Sequence, residues 1–265
     1  MAVYKKDDPL LFRDALESIY ENTLQPEMFV LVVDGPVDDS IKIVISNYQK
    51  KFSHRMKVCW LPTNKGLANA LNEGLKLIET QYVARADADD INYLNRFEEQ
   101  FKFMEQGYDL FGSAIQEVDR IGNPLSIRMP PINHEVIKLF LKRRNPFNHM
   151  TVFFRTDLAK SCGGYPELDL REDYGLWARM IQNGARCVNA DSILVNATTG
   201  EEFYRRRGGI RSVKAEIALQ KFLVMLLIKN RFESLLEIVL KSIIFMAPSS
   251  IRAFLYKTCL RQKSY

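Results

Sequence analysis

The chain has 265 residues, 47% hydrophobic and 26% charged. That is enough for one large α/β domain and too apolar for a disordered chain. No apolar run reaches the roughly 18 to 20 residues a bilayer crossing needs. Cys59, Cys162, Cys187 and Cys259 form no C-x-x-C pair and have no histidine at ligand spacing, which argues against structural zinc or a disulfide framework and fits a reducing compartment. The formal charge of +5 is unevenly spread: Lys and Arg outnumber Asp and Glu 13 to 5 beyond residue 199, against 24 to 27 before it. A slightly acidic body thus carries a basic tail suited to an anionic partner.

Residues 2–4 read as the end of a strand whose beginning is missing, and Lys5-Lys6-Asp7-Asp8 directly after them argues against a secretory leader. Asp8-Pro9 predicts a cap and a first-turn proline for a helix that carries Leu11, Ala15 and Ile19. The β-rich run 29–33 predicts a strand buried on both faces, stopped by the turn Asp34-Gly35-Pro36. A second helix, capped by Ser40, presents Ile41, Val44, Ile45, Tyr48 and Phe52. Residues 58–61 read as a third strand, Asn64-Lys65-Gly66 as a loop into a helix over 67–78, and 82–86 as a fourth strand. This rhythm predicts an α/β fold with a Rossmann-like, mostly parallel central sheet flanked by helices, whose ligands bind at the carboxyl ends of the strands.

The fourth strand runs into Asp87, Ala88, Asp89 and Asp90. Three carboxylates in four residues repel one another in water, and hard cations such as Mg²⁺ or Mn²⁺ take such oxygens as ligands. A solvated loop or a helix cap could have the same composition. The position of Asp34 at the same sheet edge favours a site. Further on, Phe97, Phe101 and Met104 mark a helix, 110–118 a strand, 134–142 a helix and 151–154 a short strand. Glu172-Asp173 opens a helix carrying Leu176, Trp177, Met180 and Ile181, and acidic residues there also suit the helix dipole. After the basic loop Arg205-Arg206-Arg207, helices are predicted over 211–229, 233–246 and 249–262. In the middle one Ser234, Glu237 and Lys241 form a polar stripe on an otherwise apolar surface. Such a helix is expected to lie on a membrane with its basic residues at the headgroups, the alternative being that it packs on the body.

The ordered motifs A-V-Y, V-V-D-G, N-K-G-L-A-N-A-L-N-E-G-L, A-R-A-D-A-D-D and E-D-Y-G-L-W resemble those of glycosyltransferase family 2, inverting nucleotide-sugar-dependent enzymes of GT-A fold. The likeness covers about residues 1–210 and is greatest to bacterial enzymes that build O-antigen, capsular or exopolysaccharide repeat units. It implies a catalytic domain over 1–210 and a helical, basic, amphipathic region over 211–265 for membrane or acceptor contact. It also implies that Asp34 meets the uracil ring and that Lys65, Gly66, Arg85, Asp87 and Asp89 line the nucleotide-sugar pocket. Asp89 and Asp90 would hold Mn²⁺ or Mg²⁺, and the motif does not choose between them. Asp173 would be the catalytic base with Glu172 beside it. His149, Trp177 and Arg205, Arg206 and Arg207 would face the acceptor, although Trp177 also reads as core.

The reaction implied is transfer of a hexose from UDP-glucose or UDP-galactose to a polyprenyl-diphosphate-linked sugar, such as GlcNAc-diphosphate-undecaprenol, forming a β-linkage. The setting implied is peripheral, at the cytoplasmic face of the bacterial inner membrane. The processive-synthase signature Q-x-x-R-W is absent; G-L-W-A-R-M follows E-D-Y instead. A sugar-nucleotide pyrophosphorylase would show a glycine-rich loop where Lys5-Lys6-Asp7-Asp8-Pro9 stands, and a phosphatase would carry D-x-D on its first strand. An inactive, membrane-associated sugar-nucleotide-binding subunit would have lost a key carboxylate, and all are present. Nucleic acid is not an expected partner, since the basic tail lacks interleaved aromatic residues.

Overall fold

The computed structural model describes residues 1–199 and 208–248, residue 252, and the backbone of 262 and 263. Arg205, Arg206 and Arg207 lie outside the described residues, as does nearly all of the helix expected over 249–262. The N-terminal part follows the predicted rhythm. Strands β1 (Ala2–Val3), β2 (Phe29–Asp34) and β3 (Met56–Leu61) pair in parallel. Helices α1 (Pro9–Tyr20), α2 (Asp39–Phe52) and α3 (Leu67–Lys76) connect and flank them. Asp8 caps α1 by accepting a hydrogen bond from Leu10 N at 2.9 Å. The cap of α2 falls on Asp38 rather than Ser40, because the helix already begins at Asp39. All six residues of β2 are buried, and Phe12, Leu16, Ile41, Ile45 and Phe52 pack over one of its faces.

A second sheet holds β4 (Tyr82–Ala84), β5 (Ile91–Asn92), β6 (Leu110–Val118), β7 (Pro124–Arg128), β8 (Phe153–Arg155) and β9 (Cys187–Thr198), with the backbone of β10 (Gln262–Lys263) beside β7. The α/β expectation holds. Among the described residues β1–β2–β3 and the long β6–β9 ladder pair in parallel, and the other pairs are antiparallel. The β6–β7 connection shows why: the Asp119 carboxylate accepts from Ile121 N at 3.0 Å and Asn123 N at 2.9 Å, closing a tight turn that can only join antiparallel strands. The 12-residue β9 has no counterpart in the predicted elements, because Asn189, Asp191, Ser192 and Asn196 break its apolar pattern. The two sheets part between β2 and β4, where Met1, Val30, Val32, Tyr82, Val83 and Arg85 help to line a cavity of about 370 Å³.

Helix α4 (Arg96–Glu105) follows β5, α5 (His134–Leu141) follows β7, and α6 (Thr156–Ser161) follows β8. Helix α7 (Glu172–Gln182) carries the E-D pair at its start and Trp177 in its middle. Trp177 is fully buried, with Phe147, His149, Phe154 and Tyr165 rings 5.8 to 6.2 Å away. Leu219 and Leu223 of α8 (Gly209–Met225) join this same core. Helix α9 (Arg231–Met246) packs back on α8 and starts with a full capping box between Asn230 and Glu233. Its polar stripe faces the protein: Ser234 is 5% exposed and Lys241 reaches Glu216. Its apolar stripe, including Phe232, Leu235, Leu236, Val239, Ile243 and Met246, is at least 50% exposed throughout. The spacing is that of a core-facing helix, turned outward.

Candidate active site

Strand β2 delivers Asp34 to the sheet edge, 5% exposed. Gly35 has φ +85, and a Cβ there would lie 2.5 Å from Asn64 N, so both conformation and space demand glycine. This close approach lets the Asp34 carboxylate accept from Lys65 N at 2.8 Å and Gly66 N at 3.0 Å. Asp34 therefore ties down the β3–α3 loop. Its carboxylate oxygens retain lone pairs for a further donor. The Lys65 side chain is exposed, and Gly66, at φ +87, leaves open space where a Cβ would stand.

The segment after β4 sorts its charges by burial. Arg85 is 4% exposed and ion-paired with Asp87, while its Nε and Nη1 have no partner among the described residues. It stands as a buried counter-charge to Asp87 and helps to line the cavity between the sheets. Burial opposes the charge of Asp87, but Arg85 and then His149 outweigh it and hold this carboxyl below its ordinary range. Arg96 of α4, fully buried, donates to Arg85 O, to Asn92 Oδ1 and, at 3.1 Å, to Gln100 Oε1. It braces the segment from below, at the cost of a pKa that burial lowers to about 9.

Asp89 and Asp90 diverge. Asp89 is exposed. Asp90 is 3% exposed; one oxygen accepts from Thr198 N of β9 at 2.8 Å, and Oδ2 is buried without a hydrogen-bond partner among the described residues. Burial, Asp89 and Asp87 push the Asp90 carboxyl well above its ordinary range. An orphaned buried carboxylate oxygen beside an exposed carboxylate fits a divalent cation. No cluster of three or more His, Cys, Asp or Glu side chains suited to a metal occurs among the described residues.

Asp173 sits in the first turn of α7. Its Oδ1 accepts from Tyr174 N at 2.7 Å and its Oδ2 from Asn145 Nδ2 at 2.6 Å. Burial and the Asp173 charge push neighbouring Glu172 up to about 7. Two adjacent carboxyls thus differ: Glu172 keeps its proton into the neutral range, and donors are aimed at Asp173. His149, in a 3₁₀ turn before β8, lies 3.3 Å from Tyr165 Oη and feels Arg85, Asp87 and Asp173 together. Burial and Arg85 lower it to about 4, so its imidazole is neutral at physiological pH. His149 and Tyr165 thereby link the acidic segment to α7. Tyr165 is fixed in turn by Asn72 of α3, which binds both its N–H and its carbonyl at 2.8 Å.

Of its two readings, Trp177 takes the core one. Fully buried beneath His149, it has no surface to offer an acceptor and serves as the floor of the site. Asn145, Arg96, Tyr165, Asn72 and Thr198 were not singled out in the sequence. None shares a motif with Asp173 or the acidic run; Asn72 alone falls within a quoted motif, N-K-G-L-A-N-A-L-N-E-G-L.

Residues 1–161 match the family model described as Glycosyl transferase family 2. The chain is 34% identical to an Escherichia coli protein named UDP-Gal:alpha-D-GlcNAc-diphosphoundecaprenol beta-1,3-galactosyltransferase, covering 99% of this chain and 95% of that one. It is 32% identical to the amylovoran biosynthesis glycosyltransferase AmsE of Erwinia amylovora, over 97% and 96% of the two chains. Among solved structures it resembles S. aureus TarS 1-349 in complex with UDP-GlcNAc, with a TM-score of 0.64 and 20% identity over 97% of this chain and 75% of that one, which establishes the GT-A fold. With that fold, these motifs and this family match, the chain belongs to glycosyl transferase family 2.

Proposed function

We propose that the protein transfers a hexose from a UDP-sugar, UDP-galactose ahead of UDP-glucose, to a sugar carried on a polyprenyl diphosphate, GlcNAc-diphosphate-undecaprenol being the favoured acceptor. The product is a β-linkage made with inversion, one sugar per event. The observation that carries this reading is the Asp173 carboxylate, held by Asn145 at a helix start, whose charge acts on the buried His149 together with that of Asp87 at the acidic strand end. The full-length likeness to the E. coli galactosyltransferase supports the choice of donor and acceptor.

Asp173 takes the proton of the acceptor hydroxyl as that oxygen attacks the anomeric carbon. The bond from that carbon to the diphosphate oxygen breaks on the opposite face, and UDP leaves with the electron pair. Asp34 and the loop it holds, Lys65 and Gly66, line the nucleotide side, and Asp87, ion-paired with Arg85, belongs to the donor site. Asp90 with Asp89 would hold Mn²⁺ or Mg²⁺, which supplies positive charge to the diphosphate. Glu172, which keeps its proton into the neutral range, lies beside Asp173 at the start of α7. Arg205, Arg206 and Arg207 remain proposed acceptor contacts.

The region from 211 onward is proposed to hold the protein peripherally at the cytoplasmic face of the inner membrane. No helix among the described residues is long and apolar enough to cross a membrane. The outward apolar stripe of α9 supports surface contact instead, together with the exposed run Lys142-Arg143-Arg144, whose Arg143 carbonyl accepts from Lys241 of α9 at 2.8 Å.

A panel of UDP-sugars tested with Mn²⁺ and a synthetic GlcNAc-diphosphate-lipid, with the product linkage read by NMR, checks the reading. Galactose transfer in a β-linkage is expected. Failure with every UDP-sugar while free sugars are glycosylated well would remove the lipid-carrier acceptor.

A further inference from the structure

Glu216 of α8 is 1% exposed, a position where a carboxylate survives only if it is paired. Its Oε1 accepts from Lys241 Nζ of α9 and from Gln220 Nε2, each at 2.8 Å, and its Oε2 lies 3.7 Å from Arg171 Nε. Burial opposes its charge, but Lys241, Gln220 and Arg171 outweigh that and keep it below the usual carboxylate range. A buried pair of this kind gives little net stability, because desolvation offsets most of the attraction. Its placement is more telling than its strength.

Two of its three partners, Arg171 and Lys241, lead to Asp173. Arg171 is the N-cap residue of α7, directly ahead of Glu172 and Asp173, and its guanidinium also lies 5.9 Å from the Phe245 ring of α9. Lys241 Nζ donates a second bond, 2.8 Å, to Arg143 O. Two residues further along that loop, Asn145 donates to Asp173 Oδ2. One buried ion pair therefore grips both the start of the helix that carries Asp173 and the loop that supplies its donor. Neither member belongs to the family-matched residues 1–161.

We infer that Glu216 and Lys241 are positioning residues for the transfer reaction, holding Arg171 and the 143–145 loop so that Asn145 and Asp173 stay in register, an assignment that rests on the reading of Asp173 as the base. The C-terminal helix pair is then a working part of the site as well as an attachment. Misplacing a reacting group by an ångström costs on the order of 100-fold in rate.

The test uses the full chain, with kcat measured well below each variant's Tm and UDP affinity measured by calorimetry. Glu216→Gln and Lys241→Met are expected to lower kcat by about 10- to 100-fold while UDP affinity stays unchanged. Lys241→Arg, which keeps charge and donors, restores kcat to within a few-fold. Adding Asn145→Ala to Lys241→Met costs little more, because both act through one contact. Should the single variants fail to fold, Glu216→Met with Lys241→Met replaces the pair by apolar side chains and still removes the donor to Arg143. Wild-type kcat in these variants, with Asp173→Asn inactive, overturns the positioning role and leaves the base intact. An active Asp173→Asn overturns the base itself.

Discussion

Asn145 Nδ2 donates to Asp173 Oδ2 at 2.6 Å, across 28 residues of sequence, and so sets the direction in which the remaining lone pairs of that carboxylate point. Asp173→Asn should lower kcat by roughly 10²- to 10⁴-fold, the usual contribution of a general base. Asn145→Ala leaves the carboxylate in place but free to rotate, so a smaller loss, about 10-fold, is expected, with the KM for UDP-sugar unchanged. Steady-state kinetics on the two variants checks both. Equal losses would mean that Asn145 touches substrate itself.

Glu172 offers a stability measurement independent of turnover. Its pKa is raised from 4.5 to about 7, chiefly by burial and then by Asp173. The folded protein thus holds a proton there that the unfolded chain releases. Stability from this group is fully present below about pH 4.5 and is lost as pH rises towards 7. Glu172→Gln removes that loss. The variant should be more stable than the parent at pH 8, by about 2 kcal/mol, and no more stable at pH 4. Denaturant titrations at both pH values decide it, and a gain of equal size at both would point to packing instead of charge.

The strand ends were legible because their signals are local. Phe29–Asp34 and the acidic run each carry, within a few residues, both the apolar strand and the carboxylate that follows it. What distinguishes Asp90 from Asp89 was not legible, since Thr198 N comes from a strand 108 residues away that reads as mixed polarity. Asn145 was hidden for the same reason. Strand direction beyond β3, where the parallel β6–β9 ladder sits among antiparallel neighbours, was not legible because periodicity reports burial and says nothing of pairing partner. The α9 stripe was visible, but which face turns inward is decided by Glu216, a buried charge on another helix that Lys241 must meet. Trp177 was ambiguous for the opposite reason: helical spacing from Asp173 says how far along the helix a side chain lies, and only the packed rings of Phe147, His149, Phe154 and Tyr165 show that it points down.

Gly35 tests the loop that Asp34 organises. A methyl group at this position would meet Asn64 N at 2.5 Å, and its φ of +85 strains any L side chain. Gly35→Ala should destabilise the protein by about 1 to 3 kcal/mol and displace the amides of Lys65 and Gly66 from Asp34. The functional trace expected is a raised KM for UDP-sugar with little change in kcat, since the chemistry lies on the other side of the site. A lowered kcat at unchanged KM would place the loop nearer the reacting atoms.

The two candidate metal carboxylates separate by sign. Asp90 is buried with an orphaned Oδ2, and its charge is disfavoured by burial and by its acidic neighbours. Asp90→Asn should therefore stabilise the metal-free protein at neutral pH and, at the same time, weaken Mn²⁺ binding measured in the presence of UDP by at least about 10-fold. Asp89 is exposed, so Asp89→Asn should leave metal-free stability within about 0.5 kcal/mol of the parent and weaken Mn²⁺ binding less. If Asp89→Asn carries the larger loss of affinity, the exposed carboxylate is the principal ligand.

Helix α9 provides the last test. Phe232, Leu236 and Ile243 are 77%, 52% and 66% exposed, while the polar Ser234 is 5% exposed on the opposite side. An apolar stripe at core spacing that faces water is costly for solubility and has value only where something apolar covers it. The exposed Lys142, Arg143 and Arg144 beside it favour an anionic bilayer, at about 1 kcal/mol per basic residue near the surface. Sedimentation with phosphatidylglycerol vesicles should carry the protein down, and added salt should weaken the binding. Leu236→Glu with Ile243→Glu should abolish sedimentation without lowering Tm, because neither side chain is packed inside. Turnover of a short-chain, water-soluble acceptor should be unchanged in that variant, and turnover of a long-chain acceptor in vesicles should fall. If the double variant still sediments and instead changes from dimer to monomer, the stripe is covered by a second copy of the chain and the membrane contact lies elsewhere.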